Sequence, residues 1–498
     1  MAHHFANEAP TRLSMWQRVR EYAVPPSMIE TATARRAVGD WAGACAAARI
    51  DVDLDLRAVR DRHGTDLVTH LRADLRRLAP DLLRWHMPRI APDGLLRPGL
   101  TLSLARYRGS GATPPHLVVR TPPAWADAGQ RMSLALWEGP EHGLPGHHPH
   151  PHPDRRFRLD LHRHLWDAGR SGELAQRSGA GVASSGPAPD RPPASGRPIL
   201  PDRLDRPTVH GSPWAVAGWA AEAELLLRAE GRPRGAFAVR LGTRSRAVLE
   251  LVAPDDSHAP TFRPLREALP PQEVAALPVL PEAAARVLPD LELLRAGLVT
   301  AERLHPLVAT ALAAYGSTPV TGRPAPEPGD PHRVECRGEV HRITLRNGVL
   351  TAIDHHPAQL RREELLVALG GPALPCLRAI DAVHRNPEAL PAVRERLGHG
   401  DVAGALAVVE KLLGPAAVLR DGPLREELES AASRRVDHGL FRSGLVAVHP
   451  GAGAAGGGNA SSAGHAAAGH RPRLDRRTPP AMRLKRSSRA RPRTGLPF

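Results

Sequence analysis

The spacing of apolar residues changes near residue 100, and this change does most to limit what the chain can become. Before it, apolar positions recur every three to four residues. Val68, Leu71, Leu75 and Leu78 mark one face of a segment over 65–85, while Arg72 and Arg76 sit on another. That period belongs to an amphipathic helix with a core stripe and a solvated face. From Leu100 the period drops to two: Leu100, Leu102 and Leu104 alternate with Thr101, Ser103 and Ala105, and similar runs follow at 117–120, 132–137 and 157–162. Alternation of this kind describes strands with one buried face. Turn-rich connections separate them, which favours antiparallel pairing. The expected fold class is α+β, with helical segments, antiparallel sheets and a disordered C-terminal tail.

A chain of 498 residues exceeds what one hydrophobic core usually serves, so two domains are expected. Residues 1–170 read as a helical region followed by antiparallel sheet. Residues 171–213 are rich in Ser, Gly, Pro and Arg without periodicity and read as a linker. Residues 214–445 read as a second α+β domain with an internal Pro/Gly linker near 317–332. It contains hairpins at 237–252 and around Asn347-Gly348, where both turn residues tolerate positive φ. Residues 446–498 form a Gly-rich and Arg-rich tail.

Local signals place several helix boundaries. Ser27-Met28-Ile29-Glu30 has the capping-box pattern, and Asp55 is placed to cap a helix from Leu56 after a short strand. Gly39-Asp40-Trp41-Ala42-Gly43-Ala44 and Gly400-Asp401-Val402-Ala403-Gly404-Ala405 agree at five of six positions. Glycine can end one helix and aspartate start the next. Each resembles a helical hairpin of the tetratricopeptide type. A solenoid needs about three neighbouring repeats, so two separate helix–turn–helix units are expected instead.

Aromatic residues make up only 3% of the chain, so its cores must be filled mainly by Leu, Val and Ala. Lysine occurs only at Lys411 and Lys485, while Arg, Ala, Pro and Gly are abundant. With the stretch Met15-Trp16-Gln17-Arg18-Val19-Arg20-Glu21-Tyr22-Ala23-Val24-Pro25-Pro26, this bias resembles an uncharacterised family of actinobacterial proteins from GC-rich genomes. The resemblance implies no activity and no catalytic residues.

The formal charge is +15, but residues 471–498 hold ten basic residues against Asp475 alone. A pI near 11.0 is thus largely a property of the tail. Candidate nucleic-acid contacts are Arg473, Arg476, Arg477, Arg483, Lys485, Arg486, Arg489, Arg491 and Arg493. With Phe498 as the only aromatic there, binding would be phosphate-driven rather than by base stacking.

Candidate metal ligands are His147, His148, His150, His152 and Asp154, followed by His162 and His164. Imidazole and carboxylate suit zinc, nickel or copper, but the interleaved prolines stiffen an extended loop without converging its donors. An exposed low-complexity loop is the expectation, with no metal and no other cofactor. Asp51-Val52-Asp53-Leu54-Asp55 fails as a calcium loop, because the sixth and twelfth positions are Leu56 and Arg62. Asp354-His355-His356 could serve acid–base chemistry, yet a helix cap is the simpler role. Cys45, Cys336 and Cys376 show no metal or redox spacing, which fits a reducing, cytoplasmic setting. Cys336 and Cys376 are expected to be small core residues.

No phosphate-binding loop, dinucleotide fingerprint, His-Glu-x-x-His or kinase signature is present. The expected function is therefore a non-enzymatic interaction or accessory protein with an unknown protein partner and no membrane insertion. The alternatives are weak non-specific nucleic-acid binding through the basic tail, and a metal-dependent enzyme using the histidine region.

Overall fold

A computed structural model of the chain describes residues 8–108, 113–139, 152–178, 212–242, 245–252, 259–265, 269–314, 333–336, 339–346, 349–352, 355–369, 374–378, 380, 390–413, 419 and 421–443. The fold is α+β. The described residues divide into two compact units. The first takes those up to Ala124 and from Arg131 to 314. The second takes Trp125–Gln130 and those from 333 onward.

The first unit opens with helix α1 (Glu8–Arg18), which runs into a π-helical turn, Val19–Ala23. Helices α2 (Pro26–Ala37) and α3 (Trp41–Ala47) follow. Ser27 lies inside α2 and makes no cap, contrary to the capping-box expectation. Pro26 occupies the first turn instead, where its fixed φ suits a helix start and its missing N–H costs nothing. Strand β1 (Ile50–Asp53) leads to α4 (Leu56–Arg77), and Asp55 caps it as the sequence indicates, accepting from Arg57 N at 2.9 Å and Ala58 N at 3.1 Å.

The helix expected over 65–85 is two helices. Helix α4 stops at Arg77 and α5 (Pro80–His86) begins at a proline that cannot continue its predecessor. Leu71, Leu75 and Leu78 are nonetheless fully buried, so the apolar stripe was real. A short hairpin, β2 (Arg89–Ile90) with β3 (Leu95–Leu96), then precedes the main sheet.

That sheet has the order β1-β6-β5-β4, with β4 (Thr101–Arg106), β5 (His116–Arg120) and β6 (Met132–Trp137) antiparallel as expected. Strand β1 pairs with β6 in parallel, because helices and four further strands intervene between them. Five of the six residues of β4 are buried, so alternation there does not mark a solvent face. Residues 157–162 form no regular strand: the segment touches β4 through one isolated bridge, Ser103 with Arg158, and turns into a 3-10 helix, Arg163–Leu165.

Within the stretch read as a linker, residues 171–178 are described and packed, Leu174 and Ala175 on the short helix α6 (Leu174–Arg177) being fully buried. Residues 179–211 lie outside the described residues. Helix α7 (Trp219–Ala229) then packs on an antiparallel sheet of β7 (Gly235–Arg240), β8 (Arg246–Val252) and β9 (Thr261–Pro264), around Trp219 and Phe237. Helices α8 (Pro271–Ala276), α9 (Glu282–Ala285), α10 (Pro289–Arg295) and α11 (Pro306–Ala313) complete the unit. Each has proline at its N-terminal boundary, which punctuates an otherwise apolar stretch into short helices.

The second unit holds an antiparallel sheet of β10 (Arg333–Cys336), β11 (Glu339–Arg346) and β12 (Val349–Ala352). The register of β11 with β12 brackets Asn347-Gly348, although these two residues themselves lie outside the described set. Helices α12 (Pro357–Ala368), α13 (Leu390–Gly398), α14 (Val402–Leu413) and α15 (Pro423–Arg442) follow. Its largest core gathers Leu390, Val393, Leu397, Ala405 and Leu413 with Leu424. No described helix is long and apolar enough to cross a membrane.

The echoed motifs form matching hairpins, α2–α3 and α13–α14. Gly39 and Gly400 have φ of +78° and +83°. Asp40 accepts from Gly43 N at 2.8 Å and Asp401 from Gly404 N at 3.2 Å. An arginine five residues earlier reaches each aspartate, Arg35 at 3.2 Å and Arg396 at 2.8 Å. The same local chemistry thus builds the same corner twice.

Candidate functional site

The densest gathering of chemically capable side chains lies in the first unit, where residues 154–164 run along the free edge of β4. Asp154 N donates to Thr101 O at 2.8 Å and Asp160 N to Ser103 O at 2.8 Å. This docking carries His162 and His164 inward, where they are 2% and 3% exposed. Arg177, at the end of α6, lies beside both rings. Its guanidinium donates to Glu222 of α7 at 2.8 and 2.6 Å and to Leu161 O at 2.7 Å. It also stands 3.3 Å from Nδ1 of His162 and 3.4 Å from Nδ1 of His164.

A guanidinium can only donate, so both Nδ1 atoms act as acceptors and both rings are neutral. Burial, then the neighbouring Arg177 and Arg158, holds His162 well below the usual imidazole range. Burial does the same to His164, helped by His162 and Arg177. Divalent metal binding at Nδ1 would set a cation against Arg177. The arrangement instead makes Arg177 a bridge from two imidazoles to one carboxylate.

A second pair adjoins it. Ser103 Oγ of β4 and His116 Nδ1 of β5 are 3.1 Å apart, with the Trp137 and His116 rings in a T-shaped contact. Asp160 accepts from Arg158 at 2.9 and 2.8 Å, and Arg158 also donates to Glu230 at 2.5 Å. Arg106 adds a further link to Asp160 at 3.4 Å. A serine hydrogen-bonded to a histidine is a nucleophile–base geometry. Here Ser103 is fully buried, His116 is 6% exposed, and burial together with Arg106 pushes His116 down to about 4. Such an imidazole is neutral but a weak base at neutral pH.

In the second unit Cys376 Sγ lies 3.5 Å from Nε2 of His355, whose ring stacks on His341 with centroids 4.2 Å apart. Cys376 is fully buried beside Ala352 and Leu374, as a small core residue would be. His356 caps α12, its Nδ1 accepting from Ala358 N at 3.3 Å.

Of the metal candidates, His147, His148 and His150 lie outside the described residues. His152 is exposed and meets Trp137 in a T-shaped contact, 6.2 Å between centroids, and Asp154 is engaged by Arg156 through both the backbone N at 2.9 Å and the guanidinium. No group of three or more His, Cys, Asp or Glu suited to a metal occurs among the described residues. Asp51 pairs with Arg131 rather than with its neighbouring aspartates. Asp354 and the whole basic tail from Arg473 to Arg493 lie outside the described residues, and for Cys336 only its place at the end of β10 is defined.

Sequence reasoning missed Ser103, His116, Arg177 and Glu222. Their partners are 13 to 45 residues away, as for Ser103 with His116 and Arg177 with Glu222, so no local spacing records them. No protein-family model, curated protein or solved structure matches the chain.

Proposed function

We propose that the chain is a non-enzymatic interaction protein of the cytoplasm whose contact surface is the C-terminal half of α12. The carrying observation is the run Leu365, Leu366, Val367 and Leu369, which are 64%, 45%, 40% and 85% exposed. Scattered apolar residues on a surface need no explanation, but a contiguous group marks a place for another apolar surface. Earlier on α12, Leu360 packs against the core of Ala352, Leu374 and Cys376, so the helix is anchored while its C-terminal end presents leucine outward.

The polar clusters support the same reading. His162, His164, Ser103 and His116 are buried and engaged with residues of this chain, which makes them fasteners of the fold rather than groups that meet a substrate. Replacing Leu366 and Leu369 together with glutamate tests the proposal. The double variant should retain its thermal stability, because these positions are exposed, and fail to capture the protein that wild-type chain is expected to capture from its own cell extract. A variant that keeps the partner would place the contact elsewhere.

A further inference from the structure

Three arginines meet in the interior of the first unit with too few carboxylates to balance them. Arg20, in the π-helical turn, is matched: its guanidinium binds both oxygens of Asp290 at 2.8 and 2.7 Å, while Trp85 donates to the same carboxylate at 3.1 Å. Arg84 and Arg89 are not matched. Arg84 is fully buried on α5 and reaches only two backbone oxygens, Ala23 O at 3.2 Å and Ala48 O at 3.3 Å. Those carbonyls end the π-helical turn and α3, so each carries the partial negative charge of a helix C-terminus. Arg89, 6% exposed, donates to Arg84 O at 2.7 Å and Gly94 O at 3.4 Å.

Two donor atoms remain over. Nη2 of Arg84 and Nε of Arg89 are buried without a partner. The charges acting on Arg84 are all positive, from Arg49, Arg89 and Arg131, and Arg20 acts on Arg89. Asp81, one turn back on α5, is engaged with His305 at 3.0 Å instead. A guanidinium does not shed its proton in a protein, so neutralisation is closed to both residues. Partial charges on a few carbonyls fall short of two full cations taken out of water.

We propose that Arg84 and Arg89 form the cationic wall of an interior anion site that takes one small oxyanion such as phosphate or sulfate. The planar fork of a guanidinium matches the paired oxygens of such an ion. Full burial of Arg84 selects a free inorganic ion over a phosphate carried on a larger molecule. The ion would exchange with solution and sit close to where the π-helical turn, α3 and α5 converge.

Equilibrium dialysis of the full-length protein with radiolabelled inorganic phosphate tests this. The expected result is saturable binding of one phosphate per chain, displaced by sulfate but not by glycerol phosphate or by chloride at equal concentration. Arg84→Met and Arg89→Gln should each weaken it about tenfold or more, the scale of a lost charge-assisted hydrogen bond. Arg84→Lys keeps the charge without the fork and should weaken binding less, which covers the case that Arg84→Met fails to fold. Absence of saturable binding, or binding unchanged in Arg84→Lys and Arg89→Gln, overturns the proposal and leaves only exposed cations as the phosphate contact. Displacement by chloride as readily as by sulfate would overturn the oxyanion assignment.

Discussion

At the scale of single residues, the first unit is built on histidines kept neutral by burial. His86 and His116 are pushed down to about 4, and His162 and His164 lie well below the ordinary value of 6.5. In the unfolded chain all four titrate near that ordinary value, so below it the unfolded state binds more protons than the folded one. Stability is therefore complete above about pH 6.5 and falls as pH drops, each group contributing up to about 1.4 kcal/mol per pH unit. For His86 and His116 the loss levels off near pH 4, while His162 and His164 continue it. Urea midpoints at pH 7.5, 6 and 5 should decline in that order, and a flat series would contradict neutral burial. Glu222→Gln leaves Arg177 beside two imidazoles without its carboxylate and should cost about 3 kcal/mol, read from the same midpoints. Neither effect could be seen in the sequence. It displayed His162 and His164 as possible ligands, because their burial depends on a segment laid against β4 and on an arginine and a glutamate brought from α6 and α7.

At the scale of elements, periodicity and turn chemistry carried far. The period of two identified β4, β5 and β6, and Asp55 fixed the start of α4. Errors arose where proline overrode a pattern: it moved the start of α2 to Pro26 and divided the 65–85 helix at Pro80. The alternation at 157–162 failed for another reason. Its backbone meets β4 at a single bridge, so the pattern there reflects burial of a turning segment rather than a ladder. The paired corners offer a controlled comparison. An added methyl group at Gly39 meets nothing within 4 Å, whereas at Gly400 it would lie 2.2 Å from Gly129 O. Gly39→Ala should therefore cost only the positive-φ penalty of about 1 kcal/mol, and Gly400→Ala about 2–4 kcal/mol. Equal losses in thermal melts would show that backbone crowding at Gly400 is unimportant.

At the scale of the whole molecule, α+β class was legible because two periods alternate along one chain. The association of Trp125–Gln130 with the second unit was not, since composition shows no boundary within a run of strands. Limited proteolysis should spare residues 171–178, whose Leu174 and Ala175 are in the core, and cut between 179 and 211, where small residues and prolines lack apolar periodicity. The tail makes a separate prediction. Any binding of DNA by the full-length protein should be equal across unrelated duplexes and salt-sensitive, and a 1–449 truncation should lose it. Sequence-selective binding by the truncation would place nucleic-acid recognition in the folded units.

The interaction reading itself rests on α12, and a photo-crosslinking residue at position 366 tests it most directly. Activated in the chain's own cell extract, position 366 should yield one discrete crosslinked protein, and Leu369→Glu in the same chain should abolish it. A control at Arg425, on the exposed side of α15, should give only background. Crosslinking at 366 no greater than at 425, or a product indifferent to Leu369→Glu, would contradict α12 as the contact surface.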